Sequence, residues 1–154
     1  MRMVISWSVG RTRPRVDACT ALISHSTQCP ATFAQVGAVE ALTGPQEFVT
    51  DLLAEYQRRR DFVHPALAAI PGVTCVRPAG GFYCFPNVGR HLSSRLPDTL
   101  ALALRLLDET KVAVVPGEGF GAPGYLRVSF ARPMDELKEG VRRISAFLAG
   151  LRDS

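Results

Sequence analysis

Residues 112–131, VAVVPGEGFGAPGYLRVSFA, constrain this chain more than any other stretch. Positions 112–115 are a continuous apolar run, three of the four β-branched, and read as a buried strand. Positions 116–124 hold four glycines, the composition of a loop whose backbone turns sharply and approaches its neighbours closely. Positions 125–130 then alternate: Leu126, Val128 and Phe130 take one side, and Tyr125, Arg127 and Ser129 the other. The segment therefore predicts two strands joined by a glycine-rich loop, with one arginine on the face away from the core. A guanidinium held on a rigid strand grips a carboxylate at two points. The same residues taken alone also suit a surface ion pair and a generic loop.

Before this segment the pattern is mainly helical. Residues 1–16 show no sustained period and predict an irregular start. Residues 17–26 are mildly helical, and 31–42 form a small-residue helix, with Pro30 suited to its first turn. Thr43-Gly44-Pro45 is a stop and restart. Residues 46–70 read as one long helix in which Phe48, Leu52 and Tyr56 recur, with Pro65 predicting a kink or break near 61–64. Short strands follow at 73–76 and 82–85, separated by a turn at Ala79-Gly80-Gly81. Residues 87–97 form a polar loop. Asp98 is a candidate N-cap for a helix to about residue 110, with Leu100, Leu104 and Leu107 on one face and Ala103 beside them. Pro133 opens the last helix, striped by Met134, Leu137, Val141, Ile144, Leu148 and Leu151. Asp135 and Glu136 suit its N-terminal end.

This order predicts an α/β chain: a small mixed sheet with helices on one face, preceded by further helices. The expected organisation is an irregular segment 1–16, a helical segment 17–45, a long helix 46–70, and an α+β domain 71–154.

With 47% hydrophobic and 21% charged residues, the composition is that of an ordinary globular domain. No apolar run approaches the roughly 18 residues of a membrane helix, and Met1 to Arg11 lack a signal-peptide pattern, so no membrane partner and a cytoplasmic location are expected. The net charge of +4 is dispersed. Its one dense run, Arg58-Arg59-Arg60, lacks interleaved aromatics and reads as a solvated helix face, so no nucleic-acid partner is expected. Cys19, Cys29, Cys75 and Cys84 form no C-x-x-C pair and have no histidine at metal spacing, which predicts reduced, mostly buried thiols and no metal. Of 18 basic residues only Lys111 and Lys138 are lysines, so amine chemistry has two side-chain candidates.

Segment 112–131 resembles the C-terminal motif of class I/II aminotransferases of fold type I, the aspartate-aminotransferase-like group. Pro116, Gly117, Phe120, Gly121, Gly124, Tyr125, Arg127, Ser129 and Ala131 match it. Five other stretches agree in order: Ser26-Thr27-Gln28-Cys29-Pro30 with Gln35; residues 41–45; Tyr56 to Asp61; residues 70–73; and Pro78 to Tyr83. The likeness covers about residues 17–150. It implies the C-terminal small domain of such an enzyme, the long interdomain helix, and the helical end of the large domain. It further implies pyridoxal 5'-phosphate as cofactor, an amino acid and a 2-oxo acid as substrates, and an active site formed between two subunits. By the same resemblance Arg127 binds the substrate α-carboxylate, and Tyr125 and the loop around Phe120 border the substrate.

The resemblance fails at the cofactor. Transamination needs a lysine amine to hold the cofactor as a Schiff base. Ser6-Trp7-Ser8-Val9-Gly10-Arg11 resembles, in damaged form, a family segment that follows that lysine, with Ser8 where the family has its phosphate-binding arginine. Neither Lys111 nor Lys138 has the family's flanking motif. The expectation is a family member that is not catalytic alone: a truncated or frameshifted product or one with a mis-called start, a carboxylate-binding module, a homodimer, or a partner for an intact homologue. An unrelated α/β binding module is the remaining alternative. Residues 17–45 are expected to expose apolar surface meant for another part of the fold. Arg132-Pro133 leaves the last helix without a polar cap.

Overall fold

In the computed structural model, which describes residues 13–26 and 30–151, the order is α1 (Arg13–Ser26), α2 (Thr32–Thr43), α3 (Glu47–Ala68), β1 (Tyr83–Cys84), α4 (Thr99–Thr110), β2 (Val115–Pro116), β3 (Leu126–Ser129) and α5 (Met134–Gly150). The damaged Ser6 to Arg11 motif, Ser8 with it, and Cys29 lie outside the described residues. No described helix is long and apolar enough to cross a membrane.

The stripe read from the sequence of α5 is the one that packs. Leu137, Val141, Ile144 and Leu148 are buried, joined by Phe147. Val63 and Leu67 of α3, Leu102 and Leu106 of α4, and Leu126 and Phe130 from the β3 strand region meet them in one core. Asp98 caps α4, its carboxylate accepting the Ala101 N–H at 2.8 Å. Pro133 heads α5 with no side-chain cap.

The chain divides into two compact units, one ending at Gln46 and the other beginning at Glu47. Among its described residues the first has no buried hydrophobic side chain. Leu22 is 70% exposed, Phe33 83% and Leu42 73%, and no residue of α2 is buried. The second unit holds the sheet and the core.

The sheet has strand order β1-β3-β2 with antiparallel pairing throughout, so it is not mixed. A short loop returns β2 to β3, and a parallel pair would need a longer crossover. Its register is Tyr83 opposite Ser129, Cys84 opposite Val128, Val115 opposite Arg127, and Pro116 opposite Leu126.

Several local expectations change. Residues 73–76 are not a strand: only Thr74 bonds, exchanging both backbone hydrogen bonds with Asn87, while Val73 is buried and Val76 is 87% exposed. Residues 112–115 are not a buried strand either, because pairing starts at Val115 and exposure alternates before it. Leu100, Leu104 and Leu107 are exposed, and α4 buries Thr99, Leu102, Ala103 and Leu106 instead. Leucines occupy two sides of this helix, and contact with α5 and β2 selects the buried one.

Pro65 does not break α3, which runs on to Ala68. It lies close to the helix end, and Val63 and Leu67, both buried, anchor the chain on either side. Pro30 precedes α2 rather than entering it, and its carbonyl accepts the Gln35 side-chain amide at 2.7 Å. α1 begins inside the stretch expected to be irregular, with Pro14 in its first turn, where a missing N–H costs nothing. Cys84 is buried, Cys75 half-buried and Cys19 exposed. The arginine run is ion-paired but only partly solvated: Arg58 is exposed, Arg59 and Arg60 are largely covered, Arg58 and Arg59 meet Glu55, and Arg60 meets Asp61.

Candidate functional site

The pleat of β3 decides where Arg127 points. Leu126 and Phe130 go into the core, so Arg127 takes the opposite face. The antiparallel register puts Val115 beside it and Tyr83, which faces Ser129, on the adjoining diagonal. The Tyr83 ring lies 4.5 Å from the guanidinium carbon. Phe120, from the loop that joins β2 to β3, lies 4.7 Å from it. Two aromatic rings thus flank one cation, each contact worth about 0.5–2 kcal/mol.

Among the described residues no carboxylate pairs with Arg127, and its Nε is buried without a hydrogen-bond partner. A buried donor left unpaired costs about 1–3 kcal/mol, and more when charged. A cavity of about 120 Å³ adjoins Arg127, lined by Tyr83, Ala113, Val114, Val115 and Ser129. A planar anion that accepts two parallel N–H bonds suits a guanidinium flanked in this way.

The loop is held by its backbone and by one carboxylate. Gly117 opens a 3-10 turn, Gly117–Phe120, and its N–H donates to the Tyr125 carbonyl at 2.8 Å. A Cβ at Gly117 would lie 2.2 Å from the Ala122 oxygen, so no side chain fits. Gly121 follows at φ 68°, where glycine is favoured. Glu118 accepts hydrogen bonds from the Thr99 N–H at 3.0 Å and from the Thr99 hydroxyl, which holds its carboxyl below the ordinary range. Tyr125 is stacked on Phe85 with centroids 5.1 Å apart, and Phe85 meets Phe120 edge-on at 6.1 Å.

Of the residues singled out by sequence, the structure brings Phe120 and Arg127 into contact, and Tyr125 joins them through Phe85. Sequence reasoning missed Tyr83, Phe85, Glu118 and Thr99. The aromatic run Phe82 to Phe85 was the available signal for the first two. Lys111 caps the C-terminus of α4 at φ 60°, its amine donating to the Asp108 carbonyl at 2.8 Å. Lys138 is exposed on α5. Neither lines the cavity at Arg127.

A larger groove of about 600 Å³ runs beside α5, and Lys111, Arg132 and Arg143 are among its lining residues. Those cations are engaged: Lys111 as described, Arg132 with Glu136, and Arg143 with Glu139. The groove lacks the unsatisfied donor found at Arg127.

The family model for aminotransferase class I and II matches residues 7–144. An aspartate aminotransferase of Geobacillus stearothermophilus is 43% identical over 136 residues, covering 86% of this chain and 34% of the relative. One of Bacillus subtilis (strain 168) is 39% identical over 146 residues, covering 92% and 37%. Among solved structures, the aspartate aminotransferase of Rhizobium meliloti superposes with a TM-score of 0.78 at 36% identity, covering 89% of this chain and 36% of that one. The alanine aminotransferase of Pyrococcus furiosus gives 0.79 at 29% identity, covering 89% and 35%. The chain thus spans about a third of the length of these relatives.

Proposed function

Because this chain belongs to the class I and II aminotransferases, a pyridoxal-phosphate-dependent family, we propose that Arg127 takes the α-carboxylate of an amino acid or 2-oxo acid. Phe120 and Tyr83 hold the guanidinium plane, and Tyr125 borders the substrate. The observation that carries this reading is the unpartnered Arg127 Nε between two rings. A charged donor buried without a partner is explained by a ligand that completes it.

The residues around Arg127 do not fit the cofactor. Its cavity offers no amine for a Schiff base and no carboxylate for the pyridinium nitrogen. The only two lysines in the sequence are placed elsewhere. We therefore assign this chain the substrate-carboxylate side of an aminotransferase site. Transfer of an amino group then needs a cofactor side, with its Schiff-base lysine, from outside these 154 residues.

Two measurements test the proposal. Pyruvate, a small achiral 2-oxo acid, is titrated into the chain and followed in ¹H–¹⁵N spectra. A charge-assisted pair is worth about 1.5–3 kcal/mol, so Arg127→Met weakens binding by roughly ten- to a hundredfold. Equal affinity in Arg127→Met overturns the assignment. For the cofactor, pyridoxal phosphate with borohydride is expected to leave no stoichiometric lysine adduct. An adduct at Lys111 or Lys138 with amino-acid turnover defeats the second half of the proposal.

A further inference from the structure

The Phe120 ring that covers Arg127 sits on a loop, and a loop does not hold a ring in place without an anchor. Beyond the loop's own backbone hydrogen bonds, its side-chain anchor is the contact between Glu118 and Thr99. Thr99 is fully buried at the first position of α4, where its N–H has no partner within the helix. The Glu118 carboxylate takes that N–H at 3.0 Å with one oxygen and the Thr99 hydroxyl with the other. The two residues are 19 positions apart, so the contact is tertiary. Two residues beyond Glu118, in the same single turn, comes Phe120.

We infer that Glu118 and Thr99 form a latch that fixes the Phe120 ring over the Arg127 guanidinium, making both of them positioning residues for the carboxylate site. The inference rests on the reading of Arg127 as the carboxylate ligand. The tip of the turn is open to solvent: Phe120 is half-exposed, and a Cβ at Gly119 or Gly121 would meet nothing within 4 Å. The ring also lies edge-on to Phe85, with centroids 6.1 Å apart. With the latch closed, the ring excludes water from one face of the guanidinium and leaves its edge to the anion. With the latch open, the cation is hydrated and its fork is free to turn, which lowers the advantage of a prearranged bidentate grip.

Asp98 provides an internal control. It caps the same helix end, its carboxylate accepting from the Ala101 N–H of the helix itself. Loss of a helix cap and loss of the latch are therefore separable.

The test uses the 154-residue chain with two readouts. The first is the Arg127 Nε–H resonance without ligand, which the ring currents of Phe120 and Tyr83 displace from its usual position. The second is pyruvate affinity. Glu118→Ala and Thr99→Val are expected to move the resonance toward its usual position and to weaken pyruvate about fivefold, the loss of roughly one hydrogen bond's ordering effect. Thr99→Ser, which keeps the hydroxyl, and Asp98→Ala, which breaks only the cap, are expected to match the parent in both. The latch is refuted by a parent-like resonance in Glu118→Ala, or by an Asp98→Ala resonance displaced as far as that of Glu118→Ala. A parent chain that binds no pyruvate sinks the carboxylate reading instead, and the ligand-free resonance still decides the latch.

Discussion

Alanine at Gly117 tests the packing that closes the glycine-rich loop onto β3. The φ of Gly117 is outside the left-handed region, so the strain is steric and not torsional. A Cβ there would meet the Ala122 oxygen at 2.2 Å and the Tyr125 oxygen at 2.7 Å, both backbone atoms. Relief requires the two strands of the loop to separate. That disrupts the Gly117 N–H bond to Tyr125 and the Ala122 N–H bond to Gly117, 2.8 and 3.0 Å long. Overpacking costs about 1–3 kcal/mol, and each hydrogen bond about 0.5–1.5 kcal/mol. The expected loss is about 2–6 kcal/mol, a large part of a domain's typical stability of about 5–15 kcal/mol.

The assay is urea unfolding followed by far-ultraviolet circular dichroism. With a slope of about 1–3 kcal/mol per molar urea, the midpoint falls by about 1 M or more. Gly119→Ala is the comparison, because nothing lies within 4 Å of its new Cβ and its φ is ordinary. It is expected within about 0.5 kcal/mol of the parent. Coincident midpoints for the two variants refute the steric argument.

The N-cap at Asp98 accepts one N–H of α4, so Asp98→Ala is expected to lower stability by about 1 kcal/mol, read from the same urea midpoints. The Cys84 thiol hydrogen-bonds Cys75 and brings the Cys75 pKa down to about 7, while the bond to Cys75 and burial raise that of Cys84. Iodoacetamide near neutral pH is therefore expected to label Cys75 well before Cys84, and peptide mapping that finds Cys84 labelled first contradicts this. Glu55, bonded to Arg58 and Arg59, and Glu139, bonded to Arg142 and Arg143, are held at about 2. Their contribution is present above the ordinary carboxylate pKa of about 4.3 and lost as pH falls toward 2. The urea midpoint is expected to drop over that window, less so in high salt, because these pairs are exposed and screened.

How far the sequence could be read depended on whether a pattern had one solution. The stripe of α5 has one apolar side, and the side it proposes is the side that packs. The alternation of β3 has period two, so placing Leu126 and Phe130 in the core sends Arg127 to the other face. α4 has leucines on two sides, and its pattern alone selects neither. The apolar runs at 73–76 and 112–115 have the composition of strands, but a strand exists only where a neighbour accepts its hydrogen bonds. Thr74 finds one neighbour, Asn87, and Val115 finds Arg127; the residues beside them do not form ladders.

By itself, then, the sequence determined the elements with local periodicity, the loop that only glycine can build, and the family that Arg127 and its flanking motif identify. Tertiary structure alone decided what surrounds Arg127. Tyr83 reaches it through the register of β1 on β3, and Phe120 through a turn tied to the start of α4 by Glu118 and Thr99. These contacts join residues far apart in the chain, so no local period encodes them. They follow from which faces the core buries, and that choice is made only when the helices and the sheet pack together.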